Sequence, residues 1–177
     1  MGVFLYLLKS SSLIWYYETM KRYGIATLFE TYPDGYEFTE ANTPLHLTHV
    51  DVLNIDLEPD TFVNSLSQFV QDKYSFDIMP TADTFFGPNK NIPVTVIKLD
   101  EALKSFHEGL ISFLESKGAT FDNPHFLKEG YRPHISAYGA HRVVLGKPIS
   151  IKSISIGHKR TDIENPPNRI ISTILLP

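Results

Sequence analysis

The chain has 177 residues, 42% of them apolar, which suits one domain with a core able to fold unaided. A net charge of −4 excludes a protein that coats long nucleic acid, because such binding draws on many cationic contacts to phosphate; one small phosphate ligand or RNA end needs only local positive charge. The absence of cysteine removes disulfides, thiolate metal ligands and a cysteine nucleophile, and fits a reducing, cytoplasmic setting.

In chain order, residues 1–19 read as foreign to the rest of the chain. The apolar run 3–8 has no positive charge before it, is cut by Lys9 and Ser10-Ser11-Ser12, and is too short to cross a bilayer, so no membrane association is expected. Met20-Lys21-Arg22-Tyr23 reads as a natural start. The expected organisation is therefore an atypical extension over 1–19 and a single domain of two lobes over 20–177. Mass spectrometry finding Met1 on the native protein would contradict a start at Met20.

Residues 23–29 read as a first strand, followed by a loop over 30–43 in which Pro33-Asp34-Gly35 marks a turn. A strand over 45–53 comes next. Residues 58–73 carry Phe62, Leu66, Phe69 and Val70 at helical spacing, with Pro59 and Asp60 suited to a first turn. Short strands are expected over 74–78, 82–86 and 93–99, the last two separated by a turn over 87–91. Asp100 is a good N-cap for a helix to Lys117, with Leu103, Phe106, Leu110 and Leu114 inward and Gly118 ending it. Residues 121–130 read as loop, and 132–138 as another strand. The alternation over 149–157 slips phase at Ser153, which suggests a bulged strand. A polar loop over 158–168 and a strand over 169–176 close the chain. The order is α+β.

Two of these strands share a pattern. His46-Leu47-Thr48 and His134-Ile135-Ser136 each place a hydroxyl two positions after a histidine, 88 residues apart (134 − 46). Strand side chains return to the same face at every second residue, so each pair presents an imidazole and a hydroxyl together while Leu47 and Ile135 turn into a core. A single His-x-Thr is commonplace and usually structural. Two in apolar strands are a means of surrounding a phosphate, since convergent titratable groups mark a site.

The motifs His46-Leu47-Thr48, followed by apolar residues, and Pro133-His134-Ile135-Ser136 resemble those of the 2H phosphoesterase superfamily, in particular its LigT-like members, named for the bacterial 2′-5′ RNA ligase. Phe86-Gly87-Pro88 before a strand, a helix with Leu103 and His107, and Gly130 shortly before the second motif extend the likeness over roughly 20–177. The resemblance implies a bilobal, pseudo-two-fold α+β fold, with antiparallel sheets and flanking helices around a central cleft. It further implies no metal or other cofactor, and chemistry on phosphodiester or cyclic phosphate bonds of nucleotides. On that likeness His46 and His134 are the acid/base pair, and Thr48 and Ser136 hold the non-bridging phosphate oxygens.

The residues make chemical sense of this. Histidine titrates near neutrality and can both take and give a proton, and hydroxyls can donate to oxygens that gain charge in a pentacoordinate transition state. Arg132, two before His134, and Tyr138, two after Ser136, share the motif face. Arg132 is a candidate phosphate clamp or a surface ion pair; Tyr138 is a candidate base platform or an ordinary strand aromatic. Phe86 is a weaker stacking candidate, expected in the core. His49 should face away from His46, and His107 should be packed; His125, His141 and His158 fall in loops or edges. No spacing matches a zinc motif, a phosphate loop or a serine elbow. The expected function is a monomeric, metal-independent phosphodiesterase for RNA or nucleotide 2′,3′-cyclic phosphate or 2′-5′ bonds. The alternatives are a hydrolase of cyclic or 2′-5′ oligonucleotide signals and a non-catalytic RNA-end or nucleotide-binding protein on the same fold.

Overall fold

The computed structural model describes residues 20–39, 42–136, 142–159 and 167–177. The extension expected over 1–19 and the candidate Tyr138 lie outside the described residues. Chain order is β1 (Lys21–Leu28), β2 (Glu37–Phe38), β3 (His46–Ile55), α1 (Pro59–Val70), β4 (Phe76–Ile78), β5 (Pro80–Phe86), β6 (Ile92–Ile97), α2 (Glu101–Ser116), β7 (Thr120–Phe121), β8 (His134–Ser136), β9 (Ile149–Ile151), β10 (Ser153–Lys159) and β11 (Asn168–Leu175). Two 3-10 turns, Pro124–Phe126 and Lys128–Gly130, lead into β8.

The main sheet runs β2-β11-β10-β1-β3-β8-β6-β5, with β7 also on β3. Every pairing is antiparallel, and β4 with β9 forms a separate two-stranded sheet. The two motif strands β3 and β8 are therefore neighbours at the middle, with β1, β10 and β11 on one side and β6 and β5 on the other. This is the bilobal arrangement, its lobes joined through one continuous sheet.

The helices form where their sequences require. In α1, Pro59 occupies the first turn, where its missing N–H costs nothing, and Phe62, Leu66 and Val70 are buried. The Asp100 side chain accepts from the Leu103 N–H at 3.0 Å to start α2. Gly118, at φ +84°, lets the chain leave that helix. Leu103, Phe106, Leu110 and Leu114 point inward as the spacing predicts, joined by His107 and Ile111. Each fully buried Leu there contributes roughly 1.5–3 kcal/mol.

Two expectations need correcting. The run 149–157 is two strands in two sheets, because the phase slip marks the point where the chain leaves β4 and joins β1 and β11. Residues 74–75 are not strand; Tyr74 is exposed and pairing starts at Phe76.

Strand β3 carries a feature that positions the site. Its register against β1 passes from Tyr23↔Leu53 to Ile25↔Val50 to Ala26↔Thr48, so β3 spends three residues where β1 spends two, then two where β1 spends one. These are two successive bulges. His49 and Val50 are consequently both buried, and Asp51 is turned outward. Gly24 of β1 makes room, since a Cβ there would lie 2.7 Å from the Asp51 carbonyl oxygen.

Candidate active site

The register of β3 on β8 pairs His46 with Ser136 and Leu47 with Ile135. Continued by one step, it sets Thr48 opposite His134, since 46 + 136 = 48 + 134. Each imidazole thus faces the other motif's hydroxyl, and a local two-fold axis passes between Leu47 and Ile135. Those two side chains are buried on the core face, while the four motif residues are half-buried and line one cleft.

The imidazoles are also held alike. His46 Nδ1–H donates to the Pro44 carbonyl at 2.7 Å, and His134 Nδ1–H donates to the Arg132 carbonyl at 2.8 Å, two residues back in each case. A carbonyl only accepts, so the proton sits on Nδ1 and leaves Nε2 to take or give a proton. Burial lowers the His46 pKa below its ordinary value, and the charge of His134 adds to this; the Pro44 carbonyl and Asp51 pull the other way.

Tyr131 secures β3 from the other motif's side. Its hydroxyl donates to the Thr48 carbonyl at 2.9 Å, and its ring stacks on His107 with centroids 3.8 Å apart and planes 3° from parallel. His107 Nε2 accepts the Lys128 N–H at 3.0 Å, so its Nδ1–H donates to the His49 carbonyl at 3.1 Å. One neutral imidazole therefore joins α2, β3 and the turn that precedes β8. Burial pushes His107 down to about 4 and, with His107 beside it, His49 down to about 3.

The cleft has a volume of about 790 Å³. Beyond the motifs its walls carry Phe85 and Phe126, both more than half exposed, together with Phe86, Arg132 and Lys90. A second cavity of about 300 Å³ adjoins it across His46, Thr48 and Asp51 and reaches Lys159 and Asn168. Among the described residues, no group of three or more His, Asp or Glu side chains is arranged to hold a metal ion, and no helix is long and apolar enough to cross a membrane.

No family model matches the chain, and no curated protein does. Solved structures do. E. coli LigT, crystallised with 3′-AMP, superposes with a TM-score of 0.56 at 13% identity, covering 89% of this chain and 98% of LigT. A crystal structure described as a phosphoesterase gives 0.54 at 11% identity, covering 89% and 98%. A protein of Thermus thermophilus gives 0.54 at 13% identity, covering 88% and 97%. The chain has the LigT-like 2H phosphoesterase fold.

Within the LigT-like fold, the structure brings His46, Thr48, His134 and Ser136 together, with Arg132 on the same cleft. Arg132 is exposed, and among the described residues no carboxylate lies within ion-pair distance of it. Phe86 is not in the core as expected. It is half-buried, with its ring 4.8 Å from that of His134, because β5 is an edge strand whose cleft side is uncovered. His49 faces away from His46 as predicted, bonded to Thr27. Tyr131 and Asp51 also line the cleft. Tyr131 lies an odd number of residues from His134, and Asp51 reaches the cleft only through the bulges, so strict alternation could reveal neither.

Proposed function

We propose that this chain is a metal-independent phosphodiesterase that opens nucleoside 2′,3′-cyclic phosphates at RNA ends or in free nucleotides, working in the cytoplasm. The observation that carries the reading is the paired presentation of two imidazoles, each fixed through Nδ1, on adjoining strands whose register sets His46 opposite Ser136. Retention of both histidines counts against a purely binding role, which needs neither. E. coli LigT structures with 3′-AMP, ATP, NADP+ and phosphate agree with a cleft for nucleotides on this fold.

In the proposed step, His46, kept neutral by its burial, takes a proton from water at Nε2 as the water oxygen attacks phosphorus. His134 gives a proton from Nε2 to the ribose oxygen as its bond to phosphorus breaks. The product is a phosphomonoester with a free vicinal hydroxyl, and one proton has passed from one histidine's side to the other. The Thr48 and Ser136 hydroxyls donate to the non-bridging oxygens as they gain charge. Arg132 supplies positive charge to the phosphate, and Phe85, Phe86 and Phe126 offer faces for a base.

A second reading, cleavage of a 2′-5′-linked oligonucleotide, is favoured by the cavity across His46 and Thr48, which offers room for a group on each side of the phosphate. The test is turnover, with EDTA present, of a nucleoside 2′,3′-cyclic phosphate, a 2′-5′ diadenylate and a cyclic dinucleotide. Hydrolysis of the first that survives EDTA supports the proposal. Preference for the second moves the assignment to 2′-5′ linkages, and nucleotide binding with no turnover of any of the three contradicts an enzyme.

A further inference from the structure

The cleft contains a charge that a phosphate site does not call for. Asp51 borders both cavities, which His46 and Thr48 also line, and its charge is felt at His46. Nothing about this placement is casual. The two bulges of β3 turn the residue outward, Gly24 makes space for its backbone, and Asn123 Nδ2 donates to Asp51 Oδ2 at 3.0 Å. Asn123 itself follows β7 and lines the larger cavity. The amide holds one carboxylate oxygen, and among the described residues no Lys or Arg pairs with the carboxylate. Bulges of this kind serve to re-aim side chains near functional sites.

We propose that Asp51 is a specificity-determining residue that sets the charge state the cleft accepts. The inference rests on the phosphodiesterase reading and deepens it. A cyclic phosphate or an internal diester carries one negative charge, whereas the monoester made by adding water has a second ionisation near pH 6 and carries between about −1.5 and −2 at pH 7. A carboxylate fixed in the wall of the same cleft repels the second state more than the first. Arg132, Lys90 and the motif hydroxyls attract both. Asp51 therefore opposes retention of the product and binding of nucleotides that already end in a monoester, leaving diesters and cyclic esters as the favoured ligands.

The test compares binding of two unreactive probes at pH 7.5 by calorimetry: a 2′-deoxynucleoside 3′-phosphate and its methyl ester, which differ by one charge at the phosphate. The proteins are wild type, Asp51→Asn and, as a second variant at this exposed position, Asp51→Ser. Both variants should tighten the monoester by roughly five- to tenfold, the scale of one screened charge contact, and the methyl ester by less, so the preference for the diester shrinks. An unchanged ratio of the two affinities, or equal weakening of both probes, overturns the proposal. Turnover of a cyclic phosphate by wild type, assayed in parallel, separates the two ideas: turnover with an unchanged ratio sinks only the role of Asp51, and a shifted ratio without turnover sinks only the phosphodiesterase reading.

Discussion

His46 and His134 have equivalent hydrogen bonds but not equivalent surroundings. Burial lowers the affinity of His46 for a proton, and Asp51 works against this. If His46 is the base, the acid limb of kcat/KM falls below the ordinary imidazole pKa of 6.5, and Asp51→Asn moves it lower still, because a favourable partner of the imidazolium is removed. A pH–rate profile checks both; a limb at or above 6.5 in wild type contradicts the assignment. Tyr131→Phe removes the bond to the Thr48 carbonyl, which should cost about 1 kcal/mol in denaturant melts and lower kcat more than it raises KM. Unchanged kcat would leave Tyr131 with no positioning role. At this scale the four motif residues were legible because each pair obeys the two-residue repeat of a strand. Phe86 was misjudged because an aromatic residue in a strand gives no sign of whether its neighbour continues the sheet.

The elements that hold the site are only partly regular. Helices α1 and α2 could be read from apolar spacing and end residues, and they lie close to where that spacing puts them. Strand β3 could be recognised as a strand, but its bulges depend on pairing with β1, which is remote in sequence, so the outward turn of Asp51 had no local signature. Gly24 is the residue on which those bulges lean. Gly24→Ala should destabilise by about 1–3 kcal/mol, the usual cost of forcing atoms into a packed site, because the new Cβ would sit 2.7 Å from a backbone oxygen that cannot swing away. Equal urea midpoints for the variant and wild type would mean the bulge relaxes freely. The strands over 149–157 illustrate the same limit: a phase slip looks alike whether it marks a bulge or a change of sheet.

Across the whole molecule, duplication of the motif suggested a two-fold arrangement, and the structure has it, with β3 beside β8 at the centre of one sheet. What sequence could not supply was the tie that buried histidines make between α2, β3 and the turn before β8. His49 and His107 are neutral in the folded protein, with pKa values of about 3 and about 4 against 6.5 unfolded. The unfolded chain therefore binds more protons below pH 6.5. Stability should be intact above that pH and fall as pH drops toward 4, by about 1.4 kcal/mol per pH unit for each proton taken up. Urea melts between about pH 7.5 and 4.5 read this directly, and a flat midpoint would contradict it. The claim on which the functional account depends is that two imidazoles act as one unit, and the most direct measurement is kcat/KM for a nucleoside 2′,3′-cyclic phosphate in wild type, His46→Ala, His134→Ala and the double variant. Each single loss should cost at least about 10²-fold, and the double variant should fall far short of the product of the two losses, as for residues that work together; wild-type turnover by either single variant would contradict the account.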